Sequence, residues 1–313
     1  MGTRFLGSVM TAATVVAVVS LAPPVLTADQ EQEGPATPPT SIGGCPAEIL
    51  LFRRCAAEKA KTFDPPRTPG GKPDLQGYWG AALTSDFSVE GVSSAEPRTR
   101  DAIMPWEVGP AMIVDPPDRL IPYQPWAAKI GRKGVHYQEY VDPRTACGSG
   151  GVARPVPGTY QFLQASDDTH LLWLFEDQST YRVIPIDGRP HIGKGIKLVQ
   201  GDSVARWEGT TLVVDVTNVN GSTWIDDAGN FYTDAAHLVE RFTMIDGDTI
   251  HYEITFEDPR AYTRPWTMAW AFSRDKEPGL EIIEEACRAG ERDVPSFLKI
   301  GYKRYFGQTW RSR

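Results

Sequence analysis

Short segments of β-strand character follow one another through the second half of the chain, and this series most constrains the fold. They are rich in β-branched and aromatic residues, turn sequences separate them, and no helical period lies between them. The dipeptides Glu208-Gly209 and Asp246-Gly247 are typical of hairpin turns. We therefore expect an all-β fold, an antiparallel meander that closes into a lipocalin-like β-barrel, with a β-sandwich as the alternative. The predicted strands cover residues 160–163, 169–176, 180–186, 204–207, 211–216, 237–245, 249–256, 266–272, 280–285 and 298–306.

The residues before the predicted barrel divide into two parts. Residues 1–28 carry one basic residue, Arg4, then an apolar run, then Ala28, which is the pattern of a cleaved signal peptide. An uncleaved anchor is the alternative, but two prolines make the apolar span marginal. Residues 29–71 are expected to form a Pro-rich linker that contains a short helix. Residues 72–313 would form one β-barrel domain, in a secreted or periplasmic protein without stable membrane insertion.

The charge of the chain argues against a nucleic-acid partner. The formal net charge is -8, and the sequence contains no cluster of basic residues. Binding to the phosphates of DNA or RNA requires such a cluster. A small molecule is the partner that we expect.

The cysteines predict disulfides. The chain has four cysteines, an even number, and export would take them into an oxidising compartment. We favour one bond between Cys45 and Cys55 and a second between Cys147 and Cys287, and the other two pairings stay open. No C-x-x-C sequence occurs, so a redox or zinc site receives little support.

Several motifs resemble those of a known group of proteins. In chain order they are PRTPGGKPDLQGYW (66–79), DGRPH (187–191), GDSVARWEG (201–209), LVVD (212–215), Trp224, His237, ERF (240–242) and DPRAYTRPW (258–266). Over residues 66–287 this set resembles a group of uncharacterised secreted bacterial β-rich proteins. The chain departs from that group at residues 148–153 and 210–211. The resemblance implies the fold and its boundaries, and it brings no activity with it.

Glu240 is the first candidate for catalysis. In the strand predicted at 237–245, alternation places it on the same face as Leu238, Phe242 and Met244. A carboxyl group on an apolar face must be paired, hydrogen-bonded or protonated, and a protonated one could act as a general acid. The simpler interpretation is an ion pair with one of two arginines that share strand faces with apolar neighbours, Arg182 or Arg206.

His191 and His237 are the second pair of candidates. Both stand at predicted strand ends, where histidines suit the rim of a cavity as acid, base or metal ligand. Hydrogen bonding of each ring to the backbone is the alternative. Together with Asp226, or with Asp227, they could form a His/His/carboxylate metal site, although no short His spacing supports it. The other three histidines, His136, His170 and His251, are expected to be structural or on the surface.

A third set of residues could line a ligand pocket. Aromatic and amide side chains suit an aromatic, terpenoid or sugar-like ligand, and an arginine could grip a carboxylate. Core packing and structural ion pairs are the alternatives for these side chains. The candidates are Arg189, Arg206, Trp207, Asn218, Trp224 and Tyr232.

Two functions follow from these patterns. The first is a secreted or periplasmic barrel enzyme that performs acid–base chemistry as a lyase, isomerase or hydrolase on a small, partly apolar molecule. It would use Glu240, His191 and His237 with support from Asp226, and no organic cofactor, with a metal ion as the alternative. The second is a non-catalytic, lipocalin-like carrier that binds a small ligand through the same residues.

Overall fold

The computed structural model describes residues 40–85, 87–91, 109–131, 135–155, 158–285 and 287–311. Every described residue belongs to one compact unit, Pro39–Arg313. The predicted signal peptide (1–28) and the start of the predicted linker (29–39) lie outside the described residues. Within the described ranges, no helix has the length and apolar character needed to cross a membrane.

Strands dominate the described part of the chain. In order, its elements are β1 (Ser41–Ile42), β2 (Cys45–Pro46), α1 (Ile49–Ala60), β3 (Gly77–Ala82), β4 (Ile113–Asp115), α2 (Pro125–Ala128), α3 (Val135–Glu139), β5 (Tyr140–Val141), β6 (Thr159–Gln164), β7 (His170–Phe175), β8 (Tyr181–Pro185), β9 (Asp202–Glu208), β10 (Thr211–Thr217), β11 (His237–Asp246), β12 (Thr249–Glu257), β13 (Trp266–Arg274), α4 (Arg288–Lys299), β14 (Lys303–Arg304) and α5 (Gln308–Arg311).

The predicted antiparallel meander that closes into a barrel is confirmed, and the closure is nearly complete. Nine strands are joined in the order β8-β7-β6-β3-β13-β12-β11-β10-β9, and β4 pairs with β13 beyond the end of β3. If β8 and β9 are placed side by side, the path closes into a circle in which the nine strands follow their order along the chain. The circle is completed by β3, the first of the nine, which pairs with β13, the last. The predicted hairpins at Glu208-Gly209 and Asp246-Gly247 connect β9 to β10 and β11 to β12.

The barrel lacks one set of ladder hydrogen bonds, between β8 and β9, and the odd number of strands makes these two neighbours parallel. Each of the eight joined pairs along the path is antiparallel, so the two ends of the path run in the same direction. The chain that links them must return to the end of the barrel at which β8 began, and a hairpin cannot do this. Residues 186–201 make this crossover connection. β8 and β9 lie in contact but are not hydrogen-bonded as a ladder.

Aromatic side chains fill the barrel interior. Trp173 stacks on Phe175 with ring centroids 4.6 Å apart, and Tyr252 lies 4.8 Å from Phe242 and 4.1 Å from Trp270 by the same measure. All five side chains are buried. Rings at these separations are in packing contact, so this part of the interior is a close-packed core.

Helix α1 packs on the outer face of the barrel, and the predicted short N-terminal helix is confirmed. The Glu48 side chain caps its N-terminus by accepting a hydrogen bond from Leu51 N at 2.9 Å. Phe52 on its inner side belongs to a buried cluster that includes Ala269 and Ala271 on β13. These two alanines have small side chains on the outer face of the sheet, which allow the helix to approach closely.

Both predicted disulfides are present. Cys45–Cys55 joins β2 to α1, and Cys147–Cys287 joins the loop after β5 to the segment that precedes α4. Cys147–Cys287 therefore ties the C-terminal segment, which follows the last barrel strand, to the middle of the chain.

The last two predicted strands are wrong. Residues 280–285 form no strand, and residues 298–306 contain the end of α4 and the short β14, which pairs with β5 outside the barrel. The barrel offers no free edge at β13, because β3 and β4 already pair there. Gly301, with φ +103°, also interrupts the alternating pattern that suggested a strand at 298–306.

Candidate functional site

Glu240 lies inside the barrel, as alternation predicted, and it forms a buried ion pair with Arg182. Arg182 Nη1 and Nη2 donate to the two oxygens of Glu240 at 2.8 and 2.6 Å. Tyr252 donates its O–H to Glu240 at 2.7 Å, and Arg182 also donates to Ser203 Oγ at 2.8 Å. The side chain of Glu240 is fully buried, and that of Arg182 is 2% exposed. Of the two arginines considered, Arg206 lies on the opposite face of the sheet and pairs with Glu208 at 2.5 Å.

The electrostatics of this buried cluster favour the charged form of Arg182. Burial acts to lower the pKa of Arg182, but the attraction of Glu240 and its hydrogen bonds outweigh burial, and the net shift is upward. Burial, together with the charge of Glu240, raises the pKa of Tyr252 well above its usual value. The hydrogen bond from Arg182 on β8 to Ser203 on β9 spans the gap in the barrel ladder.

His191 and His237 lie outside the barrel, and the structure joins them through a carboxylate that the sequence analysis did not select. Asp215 Oδ1 is 2.8 Å from His191 Nε2, and Asp215 Oδ2 is 2.9 Å from His237 Nε2. The second nitrogen of each ring also faces a carboxylate, Asp202 at 2.7 Å from His191 and Glu257 at 3.1 Å from His237. The result is a continuous chain of five alternating carboxylates and imidazoles, which we call the His–Asp chain.

Both nitrogens of each ring in the His–Asp chain face carboxylate oxygens, so all four hydrogen bonds form only when both rings carry two protons. Burial acts to lower the pKa of His237, but its hydrogen bonds to Asp215 and Glu257 outweigh burial and raise it. Burial likewise acts to raise the pKa of Asp215, but the hydrogen bonds from the two histidines outweigh burial, and the net shift is downward. His191 belongs to the crossover connection, so the His–Asp chain fastens that connection to β9 and β10.

The predicted catalytic residues therefore do not converge. Glu240 and His237 belong to the same strand, but Glu240 is in the interior, whereas His237 bonds on the outer face. Asp226 is fully buried in a loop, where it accepts from Val89 N at 2.9 Å and from Asn230 Nδ2 at 2.7 Å. Burial raises the pKa of Asp226 to about 6.

The metal alternative gains no support from the described residues. In this part of the chain, no group of three or more His, Cys, Asp or Glu side chains has an arrangement that could hold a metal ion. Asp227 pairs with Arg154. The carboxylate that joins His191 and His237 is Asp215, and it occupies nitrogens that a metal ion would need.

The residues predicted to line a ligand pocket are dispersed. Trp224 is buried and lies parallel to His136 at 5.6 Å between ring centroids, and Tyr232 is buried with its hydroxyl 2.8 Å from Thr223 Oγ1. Trp207 is partly buried against the main core. The three aromatic residues therefore pack in the core, which was the alternative to a role in a ligand pocket.

The two remaining polar candidates have local partners. Asn218 donates from Nδ2 to Gly193 O at 3.0 Å and to Ile196 O at 2.8 Å, so it holds the crossover connection. Arg189 pairs with Asp187 at 2.6 Å on the surface.

The structure contains a groove that the sequence analysis did not predict. It lies between helix α1 and the outer face of β10, β11 and β12, has a volume of about 530 Å³, and is here called the α1 groove. Thr211, Thr243 and His251 form one cross-strand row in its floor. Arg241 and Glu253, which are also paired across strands, line it from the next row.

One face of α1 forms the wall of the α1 groove. The wall residues recur every three or four positions, as residues on one side of a helix do. They are Leu50, Arg53, Arg54, Ala57 and Ala60. Arg53 Nε donates to Glu253 at 2.6 Å, and this bond links the wall to the floor.

His251 is the polar side chain most deeply buried in the α1 groove, and its Nε2 lacks a hydrogen-bond partner. Glu253 Oε1 lies 3.5 Å from this nitrogen, beyond good hydrogen-bonding distance, and already accepts from Arg53. The ring of His251 meets Phe52 edge-on at 5.6 Å between centroids. Burial lowers the pKa of His251, which favours the neutral ring.

A sequence signal for the α1 groove existed in part. Alternation along the strand predicted at 249–256 places His251 with Glu253, on the face opposite Tyr252. That α1 covers this face was not encoded in any local pattern.

Comparison of the chain with protein-family models, with curated proteins and with solved structures finds no match in any of the three.

Proposed function

We propose that this chain is an exported β-barrel protein that binds a small molecule in the α1 groove without transforming it. The observation that carries the proposal is the groove itself. Its volume of about 530 Å³ falls within the range of small-molecule sites, and three apolar side chains line it together with seven polar or charged ones.

The protonation chemistry of the predicted catalytic residues favours binding over acid–base catalysis. A proton on Glu240 would leave the buried Arg182 without its counter-charge, which is costly in a low-dielectric interior. When all four of their hydrogen bonds to carboxylates are formed, His191 and His237 each carry two ring protons, so neither ring has a nitrogen lone pair that can accept a proton from a substrate.

Export is part of the proposal and rests on two features. The first 28 residues have the pattern of a signal peptide. Disulfides such as Cys45–Cys55 and Cys147–Cys287 persist in secreted and periplasmic proteins and are rare in the cytosol. From the sequence motifs in residues 66–287, we also propose that the chain belongs to the group of secreted bacterial β-rich proteins that these motifs resemble.

The proposal can be tested by filling the α1 groove. The variant Ala57→Trp places an indole in its wall, and Ala235→Trp places the same side chain at an exposed position outside the lining. A fragment library with anionic, neutral and cationic members would be screened by ligand-observed NMR against both variants and the parent protein. Fragments that bind the parent protein should bind Ala235→Trp equally and lose binding to Ala57→Trp.

The same samples test the absence of chemistry. Signals of the bound fragments should stay unchanged over a day of incubation. Equal binding to all three proteins would remove the α1 groove as the site. Conversion of a bound fragment, abolished by His191→Ala or Glu240→Gln, would favour the enzyme over the carrier.

A further inference from the structure

The charged side chains that line the α1 groove are mostly positive. Arg53, Arg54 and Arg241 face a single carboxylate in the lining, Glu253. Glu208 adds one negative charge beside the groove and is already shared by Arg206 and Arg241, at 2.5 and 2.8 Å. With these two neighbours included, four guanidinium groups face two carboxylates. This local excess of positive charge occurs in a chain whose formal net charge is -8.

Arg54 has no counter-ion of its own in the part of the chain that the structure describes. Arg53 and Arg241 are engaged by Glu253 and Glu208, whereas no ion pair or hydrogen bond involves the Arg54 side chain. A guanidinium group presents several N–H donors in a planar fork that matches carboxylate, sulfate and phosphate oxygens. Arg54 is therefore able to bind an anion without first giving up a partner.

His251 supplies an independent reason to expect a bound polar group. It is 8% exposed and lines the α1 groove, and its Nε2 is buried without a hydrogen-bond partner. A buried polar atom without a partner is unfavourable, and in native proteins such atoms nearly always have one. A neutral imidazole with the proton on Nε2 is a hydrogen-bond donor, which is also the role of the guanidinium groups toward an anionic oxygen.

The lining also contains apolar surface that an anion alone would not cover. Leu50, Ala57 and Ala60 form the part of the α1 wall that lacks charge. A ligand that used the whole groove would therefore join an anionic head group to a short apolar body.

From this arrangement we infer that the α1 groove is selective for small amphiphilic anions, whose carboxylate, sulfate or phosphate group binds Arg54, Arg241 and His251. The inference rests on the proposed function, because it names the ligand class of the same site. The positive lining attracts the head group, and the alanine and leucine side chains of α1 contact the apolar body.

Five probes with the same six-carbon chain test the charge preference. They are hexanoate, hexyl sulfate, hexyl phosphate, hexanol and hexylamine, titrated at neutral pH and low salt while the amide signals of Thr211 and Thr243 are followed by NMR. At least one anionic probe should bind about tenfold more tightly than hexanol or hexylamine, because more than one charge-assisted contact distinguishes them. The ranking of the three anions identifies the preferred head group. Added salt should weaken the anionic probes and leave hexanol unchanged.

Variants with matched controls assign the selectivity to residues. Arg54→Gln should weaken the best anionic probe by about fivefold, as expected for one exposed charge contact, and should leave hexanol unchanged. Arg54→Lys should retain most of the affinity. Arg67→Gln removes another exposed arginine, which pairs with Asp64 outside the lining, and should have no effect. His251→Phe keeps the ring against Phe52 and should also weaken only the anionic probes.

The outcomes separate this inference from the proposed function. Equal affinity of hexanol and all three anions, with binding still abolished by Ala57→Trp, would overturn the anion selectivity and keep the α1 groove as a ligand site. The same holds if Arg54→Gln and Arg67→Gln behave alike. If none of the five probes shows binding that Ala57→Trp abolishes, both the anion selectivity and the α1 groove as a ligand site are overturned.

Discussion

Replacing Glu240 with Gln removes one charge from an ion pair that is closed to solvent. Arg182 would keep Ser203 as an acceptor but would lose the charge that compensates its own. The amide of Gln also presents one acceptor oxygen where Glu240 presents two. Tyr252 would then compete with the guanidinium for that oxygen.

The expected loss is large because both partners are buried. Removing one partner of a buried ion pair costs about 3–5 kcal/mol, and the whole unfolding free energy of a domain is about 5–15 kcal/mol. For a domain of this size each kcal/mol corresponds to roughly 2–4 °C in the melting temperature. The Glu240→Gln variant should therefore melt roughly 6–20 °C below the parent protein.

Urea unfolding followed by circular dichroism would measure the change in unfolding free energy, with two controls. The double variant Arg182→Met/Glu240→Leu removes both charges and should recover at least half of the loss, because an apolar pair needs no counter-charge. Ser203→Ala removes one hydrogen bond and should cost only about 1 kcal/mol. Equal unfolding free energies for Glu240→Gln and the parent protein would refute the reasoning, as would a double variant no more stable than the single one.

Three further predictions concern the contacts that hold the connecting segments in place. Asp215→Asn offers one acceptor to two imidazole donors, so amide exchange of residues 192–201 should accelerate while barrel strands keep their protection; unchanged exchange would contradict the role given to the His–Asp chain. Because the pKa of His237 is raised in the folded protein, its contribution to the unfolding free energy is complete below pH 6.5 and is lost as pH rises through the folded pKa. Because the pKa of Asp215 is lowered, its contribution is complete above pH 3.8 and is lost as pH falls through the folded pKa. The stability difference between Asp215→Asn and the parent should therefore be greatest between these pH values, at no more than about 1 kcal/mol per pair, because the groups are about one-third exposed. Removal of Cys147–Cys287 by alanine substitution should cost about 5 kcal/mol of unfolding free energy, against about 3 kcal/mol for the short N-terminal disulfide, because the long bond closes a loop with a sequence separation of 140; equal losses in denaturant unfolding would argue against the chain-entropy explanation.

Strand alternation and hairpin dipeptides were sufficient to predict the barrel and the inward position of Glu240. Both are local properties, since side-chain direction alternates along one strand and a turn joins neighbours. The ion-pair partner was less determined. Arg182 and Arg206 both stood among apolar residues in the sequence, and only the register of β9 with β10 places Arg206 on the outer face.

The His–Asp chain and the α1 groove depend on contacts that no local pattern contains. Asp215 occurs in a run of valines, where its outward direction alone gave no hint of two histidine partners. Arg53 and Glu253 are separated by 200 residues in the chain and meet only because α1 packs on the outer face of β11–β13. The position of a helix on a sheet surface is set by tertiary packing, which sequence periodicity does not report.

The unmatched pair β8 and β9 has a mechanical consequence. Eight of the nine junctions around the barrel resist separation through rows of backbone hydrogen bonds, whereas this one depends on Arg182, Ser203 and the anchored crossover connection. We therefore expect any local opening of the barrel wall to occur at this junction, because no row of backbone hydrogen bonds protects it. Substitutions at a few side chains can thus set how easily the wall opens while every ladder stays intact.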